Sequence, residues 1–99
     1  VVCPVAATYT KMWSTISAAI TTADGVITTE IGGTLVTNGG MTITQSGSAA
    51  GDVDTATPTG ANTLTAGQAL EIITSGACDT TSIATFTVEF TPTTSTDSD

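Results

Sequence analysis

The chain has no histidine and no arginine, and its single basic side chain is Lys11. Most chemistry at neutral pH needs an imidazole, a poised amine or a guanidinium clamp, so this absence removes most enzyme classes before any motif is sought. We therefore expect a non-enzymatic protein and nominate no catalytic residue. Nine acids against one base give a formal charge of −8. That balance repels phosphate backbones and anionic headgroups, because both kinds of affinity depend on clustered Lys and Arg. Nucleic acid and membranes are accordingly not expected as partners. No apolar run is long enough to cross a bilayer.

Cysteine is nearly as scarce. Cys3 and Cys78 are the only thiols, and a nucleophilic cysteine would need a base that the composition does not contain. Two thiols without an imidazole also make a poor zinc site. A Cys3–Cys78 bridge would tie the N-terminal segment to the loop before the last strand and contribute about 2 to 4 kcal/mol. The other reading is two small buried residues that never meet, and the sequence leaves both open. Asp52 and Asp54, in the string Gly51-Asp-Val-Asp-Thr-Ala-Thr57, resemble the opening of a calcium loop, but the bidentate glutamate that closes such a loop is missing. Their expected role is solvation or capping of turn amides. Paired carboxylates for glycoside chemistry lack an accompanying Trp cluster. No cofactor and no metal is assigned.

What the chain does have is threonine, about a quarter of all positions. Threonine is β-branched, stiff at χ1 and suited to a pleated surface, which it coats with hydroxyls where Lys and Glu would usually stand. Ninety-nine residues suit one domain with one modest core. Val1 to Val5, interrupted by Pro4, reads as an extended arm or an edge strand, because proline cannot donate to a ladder. Thr8 to Ile16 reads as a strand, and Ala18 to Asp24 as a turn. In Val26 to Ile31 a period of two sets Ile27, Thr29 and Ile31 on one face. Gly32-Gly33 supplies a tight hairpin turn, and Thr34 to Thr37 returns as a short strand. Asn38-Gly39-Gly40 is a second turn, after which Met41 and Ile43 share a face. Gln45 to Asn62 has no periodicity and reads as one long loop. Leu64, Leu70 and Ile72 bracket an Ala66-Gly67 turn, Ala69 to Thr74 reads as a strand, and Ser75 to Ser82 as a loop. The clearest alternation is the last, with Ala84, Phe86, Val88 and Phe90 on one face and Thr85, Thr87, Glu89 and Thr91 on the other.

Seven or eight short strands with turn signals between them indicate an all-β, small single-domain β-sandwich, jelly-roll-like in plan. The domain is expected over residues 1–91, including the arm, with 92–99 as an acidic, Thr-rich tail. Within it Tyr9, Met12 and Trp13 are candidates for an interface patch, since aromatics and methionine are enriched at interface centres. The competing reading packs them into the domain's own core. Lys11 beside them is either a lone cation for an acidic neighbour or an edge residue that discourages strand addition.

Several segments resemble the small virion proteins of tailed bacteriophages known as capsid decoration or head cement proteins. They are Ile20-Thr-Thr-Ala-Asp24, Ile31-Gly-Gly-Thr34, the string from Thr42 to Asp54, Ala56-Thr-Pro58 and Ala66-Gly-Gln-Ala-Leu-Glu-Ile72. The span from Ala19 to Thr74 that contains them is over half the chain. The resemblance implies a protein without an active site that binds the outer face of an assembled shell, commonly near local threefold positions. Its partner would be the major capsid protein, its location the outer surface of the virion capsid, and its state a homo-oligomer, a trimer. The two cysteines and the acidic tail depart from that pattern. Two other classes are consistent with the residues. One is a carbohydrate-binding or adhesive module with Trp13 and Tyr9 as a stacking platform. The other is a subunit of an extracellular filament or surface layer.

Overall fold

Two long strands organise the molecule, and each becomes the centre of its own sheet. The computed structural model describes residues 1–76 and 82–93, which form eight strands and no helix. They are β1 (Ala7–Ile16), β2 (Gly25–Ile31), β3 (Thr34–Leu35), β4 (Met41–Ile43), β5 (Val53–Ala56), β6 (Thr63–Leu64), β7 (Leu70–Gly76) and β8 (Ala84–Pro92). In the first sheet β1 pairs along its length with β8 on one side. On its other side it pairs with β6 and then β5, end to end. The second sheet repeats the plan, with β2 flanked by β7 on one side and by β3 and β4 on the other. All pairings are antiparallel, and the two sheets pack as a β-sandwich. First strand pairs with last and second with penultimate, the nested pairing of a rolled-up, jelly-roll-like chain.

The β2–β3 hairpin has the two-residue loop expected from its glycines: Ile31 pairs with Thr34, and Gly32 and Gly33 sit at φ 59° and 80°. Both values lie in the left-handed region that a type I′ turn demands. The next turn uses its residues differently. Asn38 takes the positive φ, 57°, while Gly40 is needed for space, because a methyl group there would collide with the backbone carbonyl of Ile27.

β1 does not keep one alternation throughout. Ala7 and Tyr9 point inward, and so do Met12, Ser14 and Ile16, a phase change of one residue. The cause is a bulge: Tyr9 pairs with Phe90 and Lys11 with Glu89, leaving Thr10 as the extra residue. On the opposite edge, in the gap between β6 and β5, Asn62 clamps the same place. Its carbonyl accepts from Tyr9 N at 2.8 Å and its Nδ2 donates to Tyr9 O at 2.8 Å.

The core lies between the sheets. Tyr9, Met12, Leu64 and Leu70 have no exposed surface, and Ile16, Ile27, Ile31, Val36, Met41 and Ile43 surround them. Tyr9 Oη donates to Gly39 O at 2.8 Å, and Thr29 Oγ1 donates to the same carbonyl at 2.9 Å, so one loop carbonyl ties the sheets together. Burial pushes the Tyr9 phenol up to about 12, against the opposing pull of its Thr29 contact.

Two expectations need amending. The stretch from Gln45 to Asn62 is not one loop, for it contains β5, which pairs Val53 through Ala56 with Thr15 through Met12. Four residues with a weak pattern of their own are held as a strand by the edge of β1. The last strand extends to Pro92, and Thr93 N donates to Ala6 O at 3.0 Å, so the ordered body reaches past residue 91; residues 94–99 lie outside the described residues. Of the two readings of Val1 to Val5, the pairing favours the edge: Val2 forms an antiparallel bridge with Ala69. Val1 and Leu70 exchange main-chain hydrogen bonds, and Cys3 N donates to Gln68 O.

Candidate functional site

With Tyr9 and Met12 turned inward, the bulge at Thr10 brings Lys11 and Trp13 to the outer face of the β1 sheet. Cross-strand pairing sets Trp13 between Thr55 of β5 and Thr87 of β8, and sets Thr15 between Val53 and Thr85. The result is a half-buried indole flanked by threonines on the outer face of the sheet, with Val53 exposed beside it. Lys11 Nζ stands 5.1 Å from the centre of the Trp13 ring, a cation–π distance. The only basic side chain of the chain therefore lies on the only Trp. Glu89 is the cross-strand neighbour of Lys11, and one of its carboxylate oxygens accepts from Thr10 Oγ1 at 2.7 Å.

Of the four residues considered for an interface patch, the structure separates two pairs. Tyr9 and Met12 are fully buried, and Tyr9 leans on Phe90 with ring centroids 6.4 Å apart. Lys11 and Trp13 reach the surface. Val53, Thr55 and Thr87 were not foreseen as their neighbours, because only the pairing of β5 and β8 with β1 brings them there.

The remaining candidate groups are placed as follows. Cys3 is buried, and its thiol donates to Val5 O at 3.2 Å. Cys78 belongs to 77–81, so the Cys3–Cys78 pairing lies outside the described residues. The chain on either side of 77–81 is anchored at Gly76, which pairs with Gly25, and at Ser82, whose Oγ donates to Ala18 O. Asp52 Oδ2 accepts from Ala49 N at 2.8 Å, and Asp24 Oδ1 accepts from Gln45 N at 2.8 Å, which is turn capping in both cases. Asp52 and Asp54 border a small polar recess of about 180 Å³ with Thr44, Ser46 and Ser48. Among the described residues no three acids, cysteines or histidines converge as a metal site would require. An apolar cavity of about 210 Å³ lies between the sheets against Ile16, Ile20, Ile27 and Ile43. A shallow, open trough of about 400 Å³ runs along β2 where β3 gives way to β4. Among the described residues neither is lined by an ionisable side chain. Comparison with family models, with curated proteins and with solved structures found no match.

Proposed function

We propose that this protein is a non-enzymatic decoration protein of a tailed-phage capsid, attached to the outside of the shell through the Trp13 face of the β1 sheet. The observation that carries the reading is the outward Trp13, backed by Lys11 and framed by threonines on the outer face of the β1 sheet. Binding energy at protein interfaces concentrates on Trp, Tyr and Arg anchors surrounded by near-neutral contacts that exclude water. Trp13 is the one residue of that kind on the outside of this sheet. The resemblance read from the sequence supports the shell as the partner. Three of its segments fall in turns and edges: Ile31 to Thr34 forms the β2–β3 hairpin, Thr42 to Asp54 spans β4 to the start of β5, and Ala66 to Ile72 leads into β7.

A module that binds the assembled shell and not its free subunits stabilises the shell by linkage, and many copies with modest affinity suffice. The test mixes purified protein with undecorated capsids and measures saturable binding and the temperature at which the shells fail. Binding and a raised failure temperature are expected. Trp13→Ala should lose the binding while the protein's own thermal unfolding shifts little, since the indole is only half-buried. Saturable binding by Trp13→Ala would sink the assignment of this face, and no binding by the unaltered protein would sink the function. Retention on a glycan surface through Trp13 would point instead to a carbohydrate-binding module.

A further inference from the structure

The sandwich is closed on one side and open on the other. On the short-strand side β4 and β5 come within 8 Å of each other. There Thr37 and Gly60 form a bridge, and Asn38 Nδ2 donates to Thr59 Oγ1 at 2.9 Å. On the long-strand side β8 has no partner on its outer edge among the described residues, and β7 has one only at its start, where Val1 pairs with Leu70. The inward side chains there, Ile72, Phe86, Val88 and Phe90, are only partly covered. Edge strands are normally blunted by lysine, proline, a bulge or an inward charge. The nine residues of β8, Ala84–Pro92, have none of these before Pro92, since the bulge is on β1 and the one charge, Glu89, points outward to Thr10.

The backbone orientation of β8 makes this edge specific. Ile83 O accepts from Ser17 N, Glu89 O accepts from Thr10 Oγ1, and Thr93 N donates to Ala6 O. Odd-numbered residues thus aim their polar backbone groups at β1. Main-chain groups alternate in direction along a strand, so the free amides and carbonyls belong to Ala84, Phe86, Val88 and Phe90, the residues whose side chains face the core.

We propose that β8 pairs antiparallel with β8 of a second copy about a two-fold axis at Val88, joining two β1 sheets into one. That register sets Phe86 opposite Phe90 of the second copy and Ala84 opposite Pro92, so partly covered apolar side chains meet their like. It sets Thr87 opposite Glu89 of the second copy, so no like charges face each other despite the net charge of −8. From Phe86 to Phe90 the free amides and carbonyls and the apolar side chains match their own in reverse, and such a strand calls for a copy of itself, the condition for an isologous interface. The inference is independent of what the Trp13 face binds.

Sedimentation equilibrium of the full chain over a concentration series tests it, together with charge variants at a position that faces solvent in the monomer. A monomer–dimer equilibrium is expected, in which the amides of Phe86, Val88 and Phe90 gain protection from hydrogen exchange as dimer forms. Thr87→Glu sets two like-charge pairs across the axis and should weaken the dimer on the order of tenfold. Thr87→Lys should strengthen it comparably, and added salt should shrink both effects. A protein that stays monomeric or forms a trimer overturns the proposal. So does a dimer indifferent to both Thr87 variants, or one that responds to Thr85→Lys instead, because that residue faces Glu89 only if the axis lies at Thr87.

Discussion

Ser14 and Tyr9 lie on the same inward face of β1, and they show how differently a buried hydroxyl can behave. Tyr9 reaches Gly39 O, whereas Ser14 Oγ, in a residue 1% exposed, has no hydrogen-bond partner among the described residues. An unsatisfied buried hydroxyl carries its full desolvation cost. Ser14→Ala should therefore stabilise the protein by about 1 kcal/mol, seen as a rise of a few degrees in thermal unfolding. Unchanged or lower stability would mean that the hydroxyl is satisfied in solution. For Tyr9 the sign of the pH effect follows from its raised pKa. The folded state holds the proton more tightly than the unfolded state, so the contribution is fully present below pH 10.0, where a free phenol titrates, and is lost as pH rises toward about 12. Tyr9 is the only tyrosine, so tyrosinate absorbance reads this group alone. Ionisation at the ordinary tyrosine pKa with the fold intact would contradict the burial described for it.

At the scale of the element, β1 has to bury Tyr9 and Met12, three positions apart, on one face of a strand whose period is two. The bulge at Thr10 solves this, and it predicts an unusual tolerance. Deleting Thr10 leaves Tyr9, Lys11 and Met12 as successive residues of a regular strand, with Tyr9 and Met12 still inward and still opposite Phe90 and Val88. The deletion should fold cooperatively at a cost of about 1 kcal/mol for the lost Thr10–Glu89 hydrogen bond. Deleting Trp13 instead shifts Ser14 and Ile16 onto the outer face and should abolish cooperative unfolding, since a one-residue slip moves a whole strand's pattern to the other side. Circular dichroism during a denaturant titration separates the two outcomes. The alternations of β2 and β8 were legible because each runs unbroken over its length. That of β1 was not, because an extra residue in one strand is defined only against its partner. β5 and β6 were missed for a related reason: two to four residues carry too little pattern of their own, and pairing with β1 makes them strands.

At the scale of the whole molecule, the acids among the described residues lie on turns and outer faces. Asp24 and Asp52 cap turns, Glu89 lies on the outer face of β8, and Glu71 lies on an exposed position of β7. A surface of one sign and many hydroxyls opposes non-specific association at neutral pH. Solubility should be lowest near the isoelectric point, about 4.1, and should recover at neutral pH when turbidity is followed through an acid titration. Full solubility through that range would show that hydroxyl coverage alone keeps the molecules apart.

Composition and periodicity by themselves determined the all-β class, the threonine coat, the glycine hairpin and the inward faces of β2 and β8, because each follows from neighbours in the chain. Only the tertiary structure decided that Tyr9 and Met12 are core while Lys11 and Trp13 are surface. Only it revealed that the sandwich closes on its short-strand side and that no described residue pairs with the outer edge of β8. Those outcomes depend on register between strands distant in sequence, and register arises from the two strands together.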